Sequence, residues 1–157
     1  MTFITALVHT HNDGLRLGRC LETLYACDEV VIVDGGSRDD TLRIAREYGA
    51  RVVAQEKSKA PGDYLSRGDE QWILCLDPRE SLTEALAASL FEWKSEPPRA
   101  CAIAFFLREE THAGWIENPA PQTRLVPGRW AEWQGQFPAS QRGATTLEGE
   151  LLRFSLP

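Results

Sequence analysis

The stretch Val30-Val31-Ile32-Val33-Asp34-Gly35-Gly36-Ser37, continued by Arg38-Asp39-Asp40-Thr41, limits the possible fold more than any other. Four consecutive β-branched residues suit a strand buried on both faces, the environment of a parallel sheet. Asp34 then falls where the strand ends. Gly35 and Gly36 permit a sharp turn and a close approach of backbone to a ligand. Ser37, Asp39 and Asp40 are all suitable caps for a helix opening near Thr41. Ligands of open α/β sheets bind outside the carboxyl ends of the strands, so this junction offers a carboxylate and a loop at the usual ligand position. A plain strand-turn-helix junction with a capping carboxylate explains the same residues. A serine nucleophile does not. Gly35-Gly36-Ser37 opens like G-x-S-x-G, but the fifth position is Asp39 and the one histidine downstream is His112.

The flanking sequence repeats the alternation. Phe3 to His9 is an apolar, β-rich run that Thr10-His11-Asn12-Asp13-Gly14 breaks with turn residues. Leu17, Cys20, Leu21 and Leu24 recur at helical spacing, which predicts a helix over 15–26. Strands are expected over 28–34 and 51–54, with a helix from Thr41 to Tyr48 between them and Gly49 as its terminator. This order gives right-handed βαβ units and a parallel sheet. Residues 55–69 read as loop with one helical turn. Gln71 to Leu76 is a fourth strand that ends at Asp77, a second carboxylate at a strand's carboxyl end. Ser81-Leu82-Thr83-Glu84 reads as a capping box opening a helix to about Lys94, which Pro97 and Pro98 stop. Further strands are expected over 101–107, 122–126 and 147–154. Trp115, Trp130 and Trp133 read as packing residues before they read as a platform for stacking sugars. The class is α/β, and 157 residues suit one domain.

Charge and cysteine content exclude several functions. The formal net charge is -6 and no basic run occurs, which argues against nucleic acid as a partner. No apolar run is long enough to span a bilayer as a helix. Met1-Thr2-Phe3-Ile4-Thr5 lacks the positive start of a signal peptide. Cys20, Cys27, Cys75 and Cys101 form no C-x-x-C pair and all read as buried free thiols. These features fit a cytoplasmic protein, and attachment to the inner face of a membrane is compatible with them.

Several stretches carry a resemblance: Ile4 to Asp13, Arg19 to Leu24, Val30 to Thr41, Ala45 to Ala50, and Trp72-Ile73-Leu74-Cys75-Leu76-Asp77. In this order they resemble the nucleotide-sugar-binding half of family 2 glycosyltransferases with the GT-A fold. The branch that adds lipopolysaccharide core sugars looks nearest. The resemblance covers about residues 2–80, which it implies are the nucleotide-binding half, and leaves 81–157 as the acceptor side. It implies a Rossmann-like three-layer fold with a mostly parallel central sheet. It implies a nucleotide diphosphate-sugar donor, UDP-type favoured, and a glycan or lipid-linked acceptor. Thr10, Asn12 and Asp13 stand where the family's T-x-N-E loop meets the nucleotide. Asp34 matches the carboxylate that accepts a hydrogen bond from the base, a role that suits an acceptor-only ionised Asp. Asp77 matches the first acid of the Asp-x-Asp motif, which meets the nucleotide and binds Mg²⁺ or Mn²⁺.

The departures are as informative. The family's L-D-A-D-E is here Leu76-Asp77-Pro78-Arg79-Glu80, so an arginine replaces the second acid. Asp77 and Glu80 remain as candidate metal ligands, with metal affinity expected to be weak or absent. Arg79 is a candidate for meeting the diphosphate directly, because guanidinium pairs well with phosphate oxygens. The family's basic-Asn-Ala helix is not recognisable before Trp72, and Arg67 stands nearest the position of its basic residue, a further candidate for the diphosphate. The His-Glu or Glu-Asp base motif is missing. Gln134-Gly135-Gln136-Phe137-Pro138 occupies its place, and Glu132 is the nearest substitute for a general base. Two expectations therefore stand side by side: a glycosyltransferase, or a homologue that binds a nucleotide, sugar or protein partner without transfer.

Overall fold

The computed structural model describes residues 1–65, 70–96 and 100–156. In chain order the elements are β1 (Phe3–Thr10), α1 (Leu17–Leu21), β2 (Glu29–Asp34), α2 (Thr41–Glu47), β3 (Arg51–Ala54), a 3-10 turn (Pro61–Tyr64), β4 (Gln71–Leu76), β5 (Glu80–Leu82), α3 (Glu84–Ser95), β6 (Ile103–Thr111), β7 (Gly114–Glu117), β8 (Gln122–Pro127), β9 (Trp133–Gln134), β10 (Phe137–Pro138) and β11 (Thr145–Arg153). The main sheet has the order β3-β2-β1-β4-β8-β6-β11-β5, with β7 beside β6. Strands β1 to β4, β6 and β11 run one way, and β8, β7 and β5 run against them. The α/β class and the mostly parallel direction hold, and each antiparallel pair includes a strand of the second half.

Pleating divides the apolar residues of the central strands between two faces. Ile4, Ala6 and Val8 of β1, Ile32 of β2, and Trp72, Leu74 and Leu76 of β4 share one core with Leu17 and Leu21 of α1, Ala45 of α2, and Leu86 and Leu90 of α3. Leu7, Val31, Val33, Ile73 and Cys75 face the other side. There Tyr64 of the 3-10 turn is part of the core, and Trp130, Trp133 and Phe137 pack against it. Val31, Ile32 and Val33 have no exposure, as their run of β-branched residues implies. Helices therefore form one outer layer, while the 3-10 turn, the aromatic loop and the β9–β10 hairpin form the other.

The connection from β4 to β5 shapes the second half. Residues 77–79 make a tight turn, with Glu80 N–H donating to the Asp77 carbonyl at 2.9 Å. So short a link keeps β5 beside the end of β4. The sheet nevertheless reaches β5 by way of β8, β6 and β11, so it must curl round to bring β5 back.

Several expected boundaries are corrected. The first helix covers only Leu17–Leu21. Thr23 ends it by turning its hydroxyl to the Cys20 carbonyl at 2.9 Å and accepting from Leu82 N–H at 3.0 Å, a tertiary bond that overrides helical periodicity. The capping box does not form, because Ser81 belongs to β5. Thr83 is the cap of α3 and its hydroxyl accepts from Leu86 N–H. The strand expected over 101–107 starts and ends later, as β6. Cys101 is consequently exposed, Cys27 is half-buried, and Cys20 and Cys75 are buried; all four are free thiols. Trp115 is on β7, 43% exposed and edge-on to Phe154. Among the described residues, no helix is long and apolar enough to cross a membrane.

Candidate functional site

Two loops lie on the carboxyl edge of the sheet. One follows β1 and the other follows β2, and the strand register sets Thr10 beside Asp34. Asp34 sits at the centre of the junction. Its Oδ1 accepts from the Thr10 hydroxyl at 2.7 Å and from the Ser37 hydroxyl at 2.5 Å. Its Oδ2 accepts from the N–H groups of Gly36 and Ser37 at 3.0 and 2.8 Å. Burial pushes the Asp34 pKa up, but these donors outweigh it and hold the carboxyl below its ordinary value. Gly36 supplies the positive φ, +94°, that the turn requires.

The loops interlock. Asn12 N–H donates to the Ser37 hydroxyl at 2.9 Å, and Arg38 N–H donates to the Asn12 side-chain oxygen at 2.8 Å. Asp13 N–H donates to the Thr41 hydroxyl at 2.8 Å, and Gly14 N–H donates to Asp39 at 2.9 Å. The Asp13 carboxylate accepts from His11 N–H at 2.8 Å and pairs with Arg16 at 3.5 Å. Asn12 holds φ +52°, an uncommon conformation for a residue with a side chain, which the bonds around it fix. Thr10, Asn12, Asp13 and Asp34 are thus brought together. Ser37, which bonds both Asp34 and Asn12, is the site residue that the sequence expectation passed over; its signal lay in the capping set after the two glycines.

Asp77 stands on the same edge, at the end of β4, where β4 lies parallel to β1. Its carboxylate is already paired. Arg79 Nε donates to Oδ1 at 2.9 Å and Nη2 to Oδ2 at 3.1 Å, while Arg79 N–H also donates to Oδ1 at 2.9 Å. Burial raises the Asp77 pKa and the Arg79 bonds lower it, with the net result below the ordinary value. Glu80 points inward and is fully buried. Its Oε1 accepts from Arg124 Nη1 at 2.6 Å and from Asp77 N–H at 2.8 Å. Its Oε2 accepts from Arg124 Nη2 at 2.8 Å and from Arg153 Nη2 at 2.8 Å. Glu80 is therefore corrected from a candidate metal ligand to the centre of a buried ion cluster. A lone arginine inside the apolar run Thr123-Arg124-Leu125-Val126 was the sequence signal for such a cluster, since a buried cation needs a carboxylate.

These residues do not fit a divalent cation. Both Asp77 oxygens face one guanidinium, and both Glu80 oxygens are taken by two others. Among the described residues, no group of three or more His, Cys, Asp or Glu side chains could hold a metal ion.

Glu132 is also corrected. Strand β8 runs against β4, with Trp72 opposite Pro127, so the chain leaves β8 at the amino edge of β4. Glu132 follows there, exposed, in a cleft of about 440 Å³ that it shares with Trp72 and Pro127. It lies beside the start of β4, whereas Asp34 and Asp77 lie at the ends of their strands. Arg67 lies outside the described residues. A second cleft, of about 320 Å³, opens at the start of β8, on the carboxyl edge. Asn118, Gln122, Thr123, Gln134 and Phe137 line it, and the Arg124 guanidinium lies 4.0 Å from the Phe137 ring centroid.

Known proteins resemble this chain. A TPR repeat-containing protein of Synechococcus elongatus is 36% identical over 131 residues, which are 80% of this chain and 31% of that protein. The lipopolysaccharide core biosynthesis glycosyltransferase LpsC of Rhizobium meliloti is 32% identical over 104 residues, 55% of this chain and 38% of that enzyme. The chain thus spans about a third of the length of these curated relatives. A glucosyl-3-phosphoglycerate synthase from Mycobacterium tuberculosis, solved with Mg²⁺ and UDP, shares the fold with a TM-score of 0.50 at 19% identity, over 68% of this chain and 44% of that one. The profile described as Glycosyl transferase family 2 matches residues 5–126, and with the βαβ core, the paired loops and the Asp77 turn it establishes that the chain belongs to glycosyl transferase family 2.

Proposed function

We propose that this chain binds a nucleoside diphosphate-sugar, UDP-type, on the carboxyl edge of its sheet. One observation carries the reading: the loops holding Thr10, Asn12 and Asp13 and holding Asp34 to Ser37 are bonded into one rigid unit, on the same edge as Asp77. A preformed unit of this kind binds without first paying the entropy of loop ordering. The relative solved with UDP and Mg²⁺ supports the donor class. Residues 2–80 form the donor half and 81–157 the acceptor side of a single domain. The absence of a long apolar helix among the described residues is compatible with cytoplasmic work at the inner face of a membrane.

Donor binding has stronger support here than transfer. An inverting transfer needs a base for the acceptor hydroxyl. On this edge Asp34, Asp77, Glu80 and Glu109 are each engaged by hydrogen-bond donors or arginines. The second reading is transfer to a glycan or lipid-linked acceptor. The family match favours it by running to residue 126, well beyond the donor half. The cleft of about 320 Å³, with its neutral amides and Phe137, suits sugar hydroxyls and a sugar face.

Calorimetric titration of uridine and guanosine diphosphates, with and without Mn²⁺, tests the first reading. Saturable binding of uridine diphosphate is expected, and binding of neither nucleotide overturns it. Consumption of a UDP-sugar that depends on added glycan acceptor would raise the second reading above the first.

A further inference from the structure

The turn after β4 replaces a metal-binding acid with an arginine, and the structure shows what that arginine does. Arg79 closes on Asp77 through Nε and Nη2, using the two-pronged face with which guanidinium also grips phosphate. The partners differ in exposure. Arg79 is 43% exposed, so its side chain can leave the pair, whereas Asp77 is 11% exposed at the strand end. The surrounding charges hold the pair in balance. Asp13 and Glu80 add to the negative field that Arg79 feels. Arg153 adds to the positive field at Asp77. Arg124 and Arg153 are otherwise committed to Glu80, so Arg79 is the cation of this turn with a dischargeable partner.

We propose that Arg79 is the diphosphate-binding cation of this chain, and that binding exchanges its Asp77 partner for the diphosphate with no metal ion. Asp77 then opposes the ligand in two ways. It competes for the guanidinium, and its negative charge repels the diphosphate. This reverses the sign of Asp77's contribution relative to a metal ligand. Removing the charge of a metal-binding carboxylate weakens diphosphate binding. Removing the charge of a carboxylate that sequesters the binding arginine strengthens it. No covalent step is involved.

The inference rests on the nucleotide-binding reading above, and the test separates the two. Uridine and UDP are titrated in EDTA and again in Mn²⁺, against the wild type, Asp77→Asn and Arg79→Gln. Asparagine keeps an acceptor oxygen for Arg79 N–H, so the turn retains its backbone bond. In EDTA, Asp77→Asn is expected to raise UDP affinity roughly three- to fivefold, the weight of a partly exposed ion pair. Arg79→Gln is expected to lower UDP affinity about tenfold, toward that of uridine. Uridine affinity should be the same in all three proteins, which shows that the base-binding loops are intact. Wild-type UDP affinity should not differ between EDTA and Mn²⁺. If Asp77→Asn weakens UDP binding while uridine binding is unchanged, or if wild-type binding requires Mn²⁺, the exchange is overturned and nucleotide binding stands. If the wild type binds neither uridine nor UDP, the nucleotide-binding reading fails and the exchange falls with it.

Discussion

Arg124 of β8 grips both oxygens of Glu80 at 2.6 and 2.8 Å, and neither side chain is more than 1% exposed. The pair joins the turn after β4 to a strand that runs against it. Arg153 of β11 adds a third arm and passes the charge on to Glu109 at 3.0 Å. The curled sheet is therefore tied together at its charged centre. Removing one member of a buried pair strands the other's charge, at a cost of about 3–5 kcal/mol. Glu80→Gln and Arg124→Met are each expected to lose that much in urea unfolding. The double change Glu80→Gln with Arg124→Met should cost less than the sum, because it leaves no charge between those two positions. Strict additivity would show that the pair is not energetically coupled.

Asp34 raises a different question, because its acceptor capacity is spent on the protein itself. Four donors reach its two oxygens, about as many as a carboxylate accepts. Asp34→Ala would unpair Thr10, Ser37 and Gly36 together. The expected loss is about 2 kcal/mol or more in stability, with faster amide exchange over 11–14 and 35–38. Uridine affinity should fall with it. Unchanged exchange in those loops, with binding lost, would mean that Asp34 meets the base directly and does not organise the loops.

His9 sets an acid limit. Its ring is largely buried near Tyr64, and burial pushes its pKa down from 6.5 to about 4. A group whose folded pKa is depressed in this way binds its proton first in the unfolded chain. Its neutral form supports the fold fully above the unfolded pKa of 6.5, and that support is lost as pH falls through the folded value of about 4. The shift corresponds to about 3 kcal/mol between those limits. Urea midpoints for the wild type should decline between pH 6.5 and 4, and His9→Gln should flatten that decline. Below it, Asp34, Asp77 and Glu80 all have depressed pKa values, so their support persists until pH passes below the ordinary carboxylate range. An identical slope in His9→Gln would assign the loss to other groups.

Most of the first half of the fold was legible because its signals are local, the end of the first helix at Thr23, bonded to Leu82, being the exception. Val31 to Val33 state their own burial, and Asp34 and Asp77 follow directly from where their strands end. The second half depends on contacts distant in sequence. Ser81 looked like a cap, but pairing with Leu152 of β11 makes it strand. Glu80 looked like a metal acid, but its partners lie 44 and 73 residues away. Glu132 looked close to the site in sequence; the antiparallel direction of β8 puts it beside the start of β4. The Asp77–Arg79 pair was partly legible, since the substitution is visible in the sequence while its two-pronged geometry needs the turn to be seen.

Gly149 carries the last expectation, because it is the point where β11 bends onto α3. From Thr146 to Glu150 the strand advances four residues while its partner β6 advances two, from Ala104 to Phe106. The surplus forms a bulge that leans on the start of α3. There the Ser89 hydroxyl donates to the Glu148 carbonyl at 2.7 Å, and the Thr83 hydroxyl donates to that of Glu150 at 3.0 Å. Gly149 has φ +106°, and a Cβ on it would run into the backbone of Leu86. Gly36 has a similar φ of +94° with open space around it, so it isolates the conformational part of the cost. Gly36→Ala should cost about 1–2 kcal/mol, the backbone penalty alone. Gly149→Ala should cost more than that, because α3 must also shift outward at Leu86, away from position 149, and weaken its packing on β11. Thermal unfolding of the two variants side by side decides it. Equal losses would mean that α3 yields freely at Leu86 and that the close approach adds nothing to stability.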